Sequence, residues 1–216
     1  MIPLIRPDCG RAAGLALLVL PLATPAQAGE HLMELGVRAN AMYVSHSLAD
    51  GMLGGGIILR YHVREHWFVA FSLDSYRYEI TDPLGLDDNP RSPIVVPLRT
   101  SVFSTAIGKS QQLRDSGVDW FWHAGLGVGI PAAGNSTGNT ASGAAFDLHT
   151  EAGAEIHLSA TLGASLALAR QWALVAAVRA EHHFVDLQIT DDEGGESRVV
   201  DSFSPVGVFV SLNYRF

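Results

Sequence analysis

The chain has 216 residues, of which 48% are apolar and 17% charged, with 22 glycines, one cysteine and a formal net charge of −8. Low hydrophobicity combined with high charge would mark disorder, and this composition has neither. Beyond residue 28 there is no run of roughly 18 uncharged apolar residues, so a helical membrane protein is excluded.

Residues 1–28 have the make-up of an export signal. Arg6 and Arg11 form a short basic start, Ala12 to Ala23 is an apolar stretch of signal length, and Ala26-Gln27-Ala28 fits the small-x-small cleavage pattern. A helix over that stretch would rise about 18 Å, too little for a hydrocarbon core of about 30 Å. Cleavage after Ala28 would leave a mature domain over 29–216 and remove Cys9 with the peptide. Disulfides, zinc-thiolate sites and cysteine nucleophiles then drop out of consideration. The mature chain stays acidic, and its basic residues are all arginine except Lys109, which argues against nucleic acid as a partner.

The rest of the chain alternates with period two. Residues two apart share a face only in an extended strand. By this test strands are expected at roughly 31–46, 52–64, 67–80, 94–108, 117–131, 144–168, 171–189 and 201–216. In the fifth, Val118, Trp120, Trp122, Ala124, Leu126, Val128 and Ile130 oppose Asp119, Phe121, His123 and three glycines. In the last, Val206, Val208, Val210, Leu212, Tyr214 and Phe216 oppose Gly207, Phe209, Ser211, Asn213 and Arg215. Pro97 removes a ladder donor from the fourth strand. In the seventh the pattern slips near His182 and His183, where Val185, Leu187 and Ile189 change sides, as a bulge or a strand end clear of the membrane would require.

Connections after the second, fourth and sixth strands are short. Those after the third (Thr81 to Pro93), fifth (Pro131 to Gly143) and seventh (Thr190 to Val200) are long and polar. This rhythm suits an eight-stranded antiparallel up-and-down barrel, either a soluble one with an apolar interior or a transmembrane one with an apolar exterior. Three features favour the transmembrane form. The polar face carries glycine and charges of both signs, as a narrow lumen of eight strands would. The apolar rows exceed the 9–11 residues a tilted strand needs to cross the hydrocarbon. Tyr61, Trp67, Trp120, Trp122, Trp172, Tyr214 and Phe216 all fall at the short-turn end, where they would form one interfacial ring.

With its export signal, this strand rhythm over 29–216 and the ending Asn213-Tyr214-Arg215-Phe216, the chain resembles the eight-stranded OmpA/OmpX/OmpW-like outer-membrane barrels of Gram-negative bacteria. The resemblance implies Sec-dependent export, removal of the signal and residence in the cell outer membrane. It also implies contact with outer-membrane lipid and lipopolysaccharide, and assembly by the barrel-assembly machinery with Tyr214 and Phe216 as the signal read.

The face opposite the lipid rows would carry Glu34, Arg38, Arg60, His62, Arg99, Asp119, His123, Asp147, His149, Glu151, Glu155, His157, Arg179, Glu181 and Arg215. Burial in a closed lumen demands that such groups pair, so an ion-pair and hydrogen-bond network is expected there. A metal site from His123, His149, Glu151 and His157 is a weaker alternative, because same-face neighbours on a strand stand about 6.8 Å apart. His157 and Ser159 with Glu155, or Ser45-His46-Ser47, could serve a lipid hydrolase, yet nothing resembles a nucleophile elbow. The loop acids Asp82, Asp87, Asp88, Asp191, Asp192, Glu193 and Glu196 form an acidic rim relieved by Arg91 and Arg198, explained by solvation or by divalent-cation bridging to lipopolysaccharide. The expectation is therefore a monomeric barrel without cofactor or catalytic residues, structural or surface-interacting in role. A narrow solute channel is the next reading, and a lipid-modifying hydrolase the third.

Overall fold

The computed structural model describes residues 33–46, 49–64, 66–81, 95–113, 117–132, 134–139, 145–191 and 196–216. The segment expected to be an export signal and most of the expected acidic rim lie outside these residues. Among the described residues eleven strands are formed: β1 (Met33–His46), β2 (Ala49–His62), β3 (Trp67–Thr81), β4 (Val95–Gln112), β5 (Val118–Ala132), β6 (Gly134–Asn139), β7 (Ala145–Ala152), β8 (Glu155–Ala167), β9 (Trp172–Asp191), β10 (Glu196–Phe203) and β11 (Pro205–Arg215).

Eight of them make a closed wall. Each pairs antiparallel with its neighbour in the order β1, β2, β3, β4, β5, β8, β9, β11, and β11 returns to β1 from Glu34↔Arg215 to Val44↔Pro205. Closure leaves the wall no unpaired edge, which a sheet surrounded by lipid must achieve. At the seam the Phe216 N–H donates to the Met33 carbonyl at 2.9 Å.

The expected strands and the wall coincide except where the chain leaves it. The sixth expected strand is split at Gly153–Ala154 into β7 and β8, and the register against β9 changes by one residue across the split. The Gly153 N–H donates across it to the Asp186 carbonyl. β6, inside the segment expected as a loop, pairs with β7, so this hairpin prolongs the sheet past the wall. The eighth expected strand is interrupted at Ser204, ahead of Pro205, whose ring nitrogen has no hydrogen to donate. β10 and β11 nonetheless keep one register against β9. The slip expected near His182 is not a bulge: the β8–β9 ladder runs unbroken through it. His183 and Val185 continue the inward parity and are buried.

The three short turns close with backbone hydrogen bonds. Val63 donates to the Trp67 carbonyl, Leu113 to Val118 and Leu168 to Trp172. Gly117 sits in the second of these at a φ of 67°, where a Cβ would crowd the backbone.

Alternation along each strand gives the wall an inner and an outer face. Val37, Leu53, Leu73, Phe103, Leu126, Leu162, Val178 and Val208, one from each wall strand in turn, are all exposed, whereas Phe68, Tyr76, Phe121, His157, His183 and Phe209 are sealed inside. An apolar belt around all eight strands far exceeds what a water-soluble monomer exposes, so lipid is the solvent that fits it. Among the described residues no helix is long and apolar enough to cross a membrane; the strands do so instead.

Candidate functional site

The interior is stacked in layers. At the short-turn end Glu34 gathers three cationic or imidazole partners: Arg215 Nε at 2.9 Å, Arg60 Nη1 at 3.6 Å and His62 Nε2 at 3.9 Å. Asn213 donates to the same carboxylate at 3.3 Å, and Arg215 reaches Asp119 at 3.3 Å. Above this cap lies an apolar layer of Ile58, Phe68, Ala70, Phe121, Val175, Ala177 and Phe209. Arg60 spans the two layers, its guanidinium 4.1 Å from the Phe121 ring centre and 5.3 Å from that of Phe68. Its charge thus faces a carboxylate on one side and aromatic faces on the other.

Asp74 organises the next layer. Arg38 grips both of its oxygens, Asn40 and Ser72 donate to it at 3.3 and 3.2 Å, and Arg179 lies at 3.7 Å. From Arg179 the chain of polar contacts continues through Glu181 at 2.6 Å to His183 at 2.7 Å. His183 Nδ1 then faces Glu155 at 3.6 Å, and Glu155 accepts from the Tyr78 hydroxyl at 2.6 Å. His183 is held flat between two rings, His157 at 5.4 Å and Phe203 at 4.9 Å. Room for His157 is made by Gly127: a Cβ there would stand 2.6 Å from the His157 Nε2 and 2.7 Å from the Phe103 carbonyl.

The interior therefore joins Glu34, Arg60, His62, Asp119 and Arg215 in one cluster, and Arg38, Arg179, Glu181 and Glu155 in another. His123 is buried against Phe68 and Phe121, with neither ring nitrogen hydrogen-bonded among the described residues. Four expected interior positions differ. His149 and Glu151 are a solvent-exposed pair 3.6 Å apart on β7, and Asp147 is exposed beside them. They fall on the hairpin past the wall, where the split at Gly153 uncouples β7 from the parity of β8. Arg99 also points outward, because the inward parity of β4 belongs to Leu98, Thr100, Val102 and Ser104.

The four proposed metal ligands are thus divided between the interior and an exposed hairpin. Among the described residues no group of three or more His, Cys, Asp or Glu is placed to hold a metal ion. His157 and Ser159 are buried inside the wall, out of reach of a lipid ester. The Ser45-His46-Ser47 side chains lie outside what the structure describes.

Asp74, Tyr76, Tyr78 and His183 are interior groups that the sequence reading missed. On β3 the outward row Trp67, Val69, Phe71, Leu73 and the inward row Phe68, Ala70, Ser72, Asp74 both begin apolar, which hides the parity that would have marked Asp74. In the region past the lipid belt, Arg198 grips Asp186 through Nε at 2.7 Å and holds that carboxyl below its usual range.

On the outer face the seven aromatics gather at the short-turn end. Trp67 meets Trp122 edge-on at 6.0 Å, Trp172 meets Tyr214 at 5.0 Å, and Tyr214 meets Phe216 at 5.0 Å. Tyr61 and Trp120 share their outward parity on β2 and β5.

No family model matches the chain, and no curated protein matches it in sequence. Solved structures do match in fold. The outer membrane protein OprG of Pseudomonas aeruginosa superposes with a TM-score of 0.60 at 10% identity, covering 86% of this chain and 97% of its own. Neisserial surface protein A gives 0.52 at 14% identity, covering 85% and 97%. The outer membrane protein AlkL in lipid bilayers gives 0.54 at 14% identity, covering 90% and 94%. At such identities the likeness is one of fold, and it joins the closed wall, the apolar exterior and the polar interior: the chain is an eight-stranded β-barrel of the outer-membrane type.

Proposed function

We propose that the protein is a monomeric, non-conducting barrel of the outer membrane, with a structural or surface-interacting role and no catalytic one. The observation that carries this is the interior chain from Arg38 through Asp74, Arg179, Glu181 and His183 to Glu155 and Tyr78. These groups are buried to 4% exposure or less, and together they bridge β1, β3, β8 and β9. Charges so enclosed are stable only when paired, and a continuous water column through them would compete for every contact. Solute would have to break the network to pass. Lipid and lipopolysaccharide are the partners that fit the outer belt, and the ring of seven aromatics would hold it in register with one interface. In planar bilayers the purified barrel is expected to give no steady openings; regular conductance steps would favour a narrow solute channel instead. Cells with and without the protein should have identical lipid A and phospholipid profiles by mass spectrometry, and an altered profile would favour the hydrolase reading.

Tyr214 and Phe216 complete this proposal as the residues the assembly machinery reads. Phe216 is exposed beside the seam where β11 meets β1, so a partner could grasp it before closure. Replacing Phe216 by Ala is expected to lower the outer-membrane level of the protein while leaving export intact. Unchanged levels would remove Phe216 from this role.

A further inference from the structure

Arg77 and Arg99 are direct partners in the β3–β4 ladder, and both side chains are exposed on the outer face. Paired residues of an antiparallel ladder bring their side chains to about 5 Å at the Cβ, and like charges so placed repel. Neither guanidinium forms an ion pair with any described residue, although Glu79 is exposed two positions further along β3. The two arginines line a surface cavity of about 720 Å³, whose walls also include the carboxylate-bearing Glu79 and the apolar Leu53, Pro97 and Ala132.

Their height in the membrane gives the pair its meaning. Arg77 lies ten residues beyond Trp67 on β3, and Arg99 ten residues from Lys109, the ladder partner of Trp67. Ten residues of strand span about 33 Å, or about 25 Å along the axis of a barrel tilted in the usual range. That is the height of a lipid-facing apolar band. With the aromatic ring at one interface, Arg77 and Arg99 stand at the other, on the side of the long loops. Between the two levels on these strands the outward positions are Val69, Phe71, Leu73, Ser75, Ser101, Phe103, Thr105 and Ile107, with no charge among them.

We infer that the Arg77–Arg99 pair is a binding site for the phosphate of an outer-leaflet glycolipid. A phosphate between the two guanidiniums would cancel their repulsion and accept bidentate hydrogen bonds from each. The apolar walls of the same cavity would take the adjoining hydrocarbon. The inference rests on the membrane reading above and adds to it a specific seat and a ligand chemistry.

The test uses the folded protein in detergent, with diphosphorylated lipid A, the same lipid stripped of phosphate, and inorganic phosphate as probes. Retention of each is read by native mass spectrometry. The wild type is expected to hold diphosphorylated lipid A at least about tenfold better than the stripped form, as charge-assisted bidentate contacts imply. R77Q/R99Q should lose that preference, R99Q alone should weaken it, and R198Q, which removes an arginine already paired with Asp186, should leave it intact. Equal preference in R77Q/R99Q and wild type would overturn the inference, as would inorganic phosphate displacing the lipid at comparable concentration. Heat-modifiable migration on SDS gels reports the barrel separately: its loss in the wild type would defeat the membrane reading itself. Its persistence in R77Q/R99Q would show that any lost preference is not lost folding.

Discussion

Asp74→Asn is expected to destabilise the barrel by about 3–5 kcal/mol, the range for removing one partner of a buried ion pair. The substitution keeps the shape of the side chain and its capacity to accept from Asn40 or Ser72. It removes the charge that faces Arg38 on both oxygens and Arg179 at 3.7 Å. Among the described residues the two buried guanidiniums would then be opposed only by Glu181, at 2.6 Å from Arg179, with no carboxylate paired to Arg38. Urea unfolding in lipid vesicles, followed by the fluorescence of the four tryptophans, measures the effect. The double variant Arg38→Gln with Asp74→Asn should cost less than its two parts summed, because contacting residues couple by about 0.5–3 kcal/mol. A cost for Asp74→Asn below about 1 kcal/mol would mean that water already solvates the Asp74 site. A wet lumen would turn the functional reading toward a channel, so the unfolding experiment and the conductance experiment bear on the same question.

The fold was largely legible because period-two alternation is imposed by strand geometry and needs no tertiary information. Leu126 and Val208 could be assigned outward, and Phe121 and Arg215 inward, from parity alone. Parity stops being informative where the strand leaves the wall or where both faces carry the same kind of residue. His149 and Glu151 obey the alternation of their own segment, but the register change at Gly153 separates β7 from the lumen, and a single residue of shift leaves no mark in composition. Arg99 is expected on the interior face, yet it lies on the outer one. Its place at the rim of the apolar band makes an outward charge tolerable there, since the penalty for arginine falls toward the interfaces. Within the interior, the candidates Glu155, Arg179 and Glu181 could be named, but their partners could not. Tyr78 reaches Glu155 from 77 residues away in sequence, and which side chains meet across a closed barrel depends on the stagger of all eight strands. The apolar layer around Phe68 and Phe209 was hidden for a related reason: an interior aromatic beside an exterior one reads as a run without a period.

Leu126→Arg tests the inversion on which the functional reading depends. Leu126 points outward between Thr105 of β4 and Leu158 of β8, four residues past Trp122, hence about 10 Å along the axis from the aromatic ring and near mid-bilayer. An arginine there should cost about 2–4 kcal/mol in lipid vesicles, and Val208→Arg, between Ala41 and Val178, about the same. Ile130→Arg, two outward positions further and close to the level of Arg99, should cost less, because a long side chain can snorkel to the headgroups. The contrast is what discriminates. In a barrel surrounded by water all three changes would replace an exposed apolar side chain by a soluble one, and none should destabilise. Only a hydrocarbon environment produces a penalty that peaks at mid-height and fades toward the rim, and equal, near-zero costs at Leu126 and Ile130 would place water, not lipid, against this face.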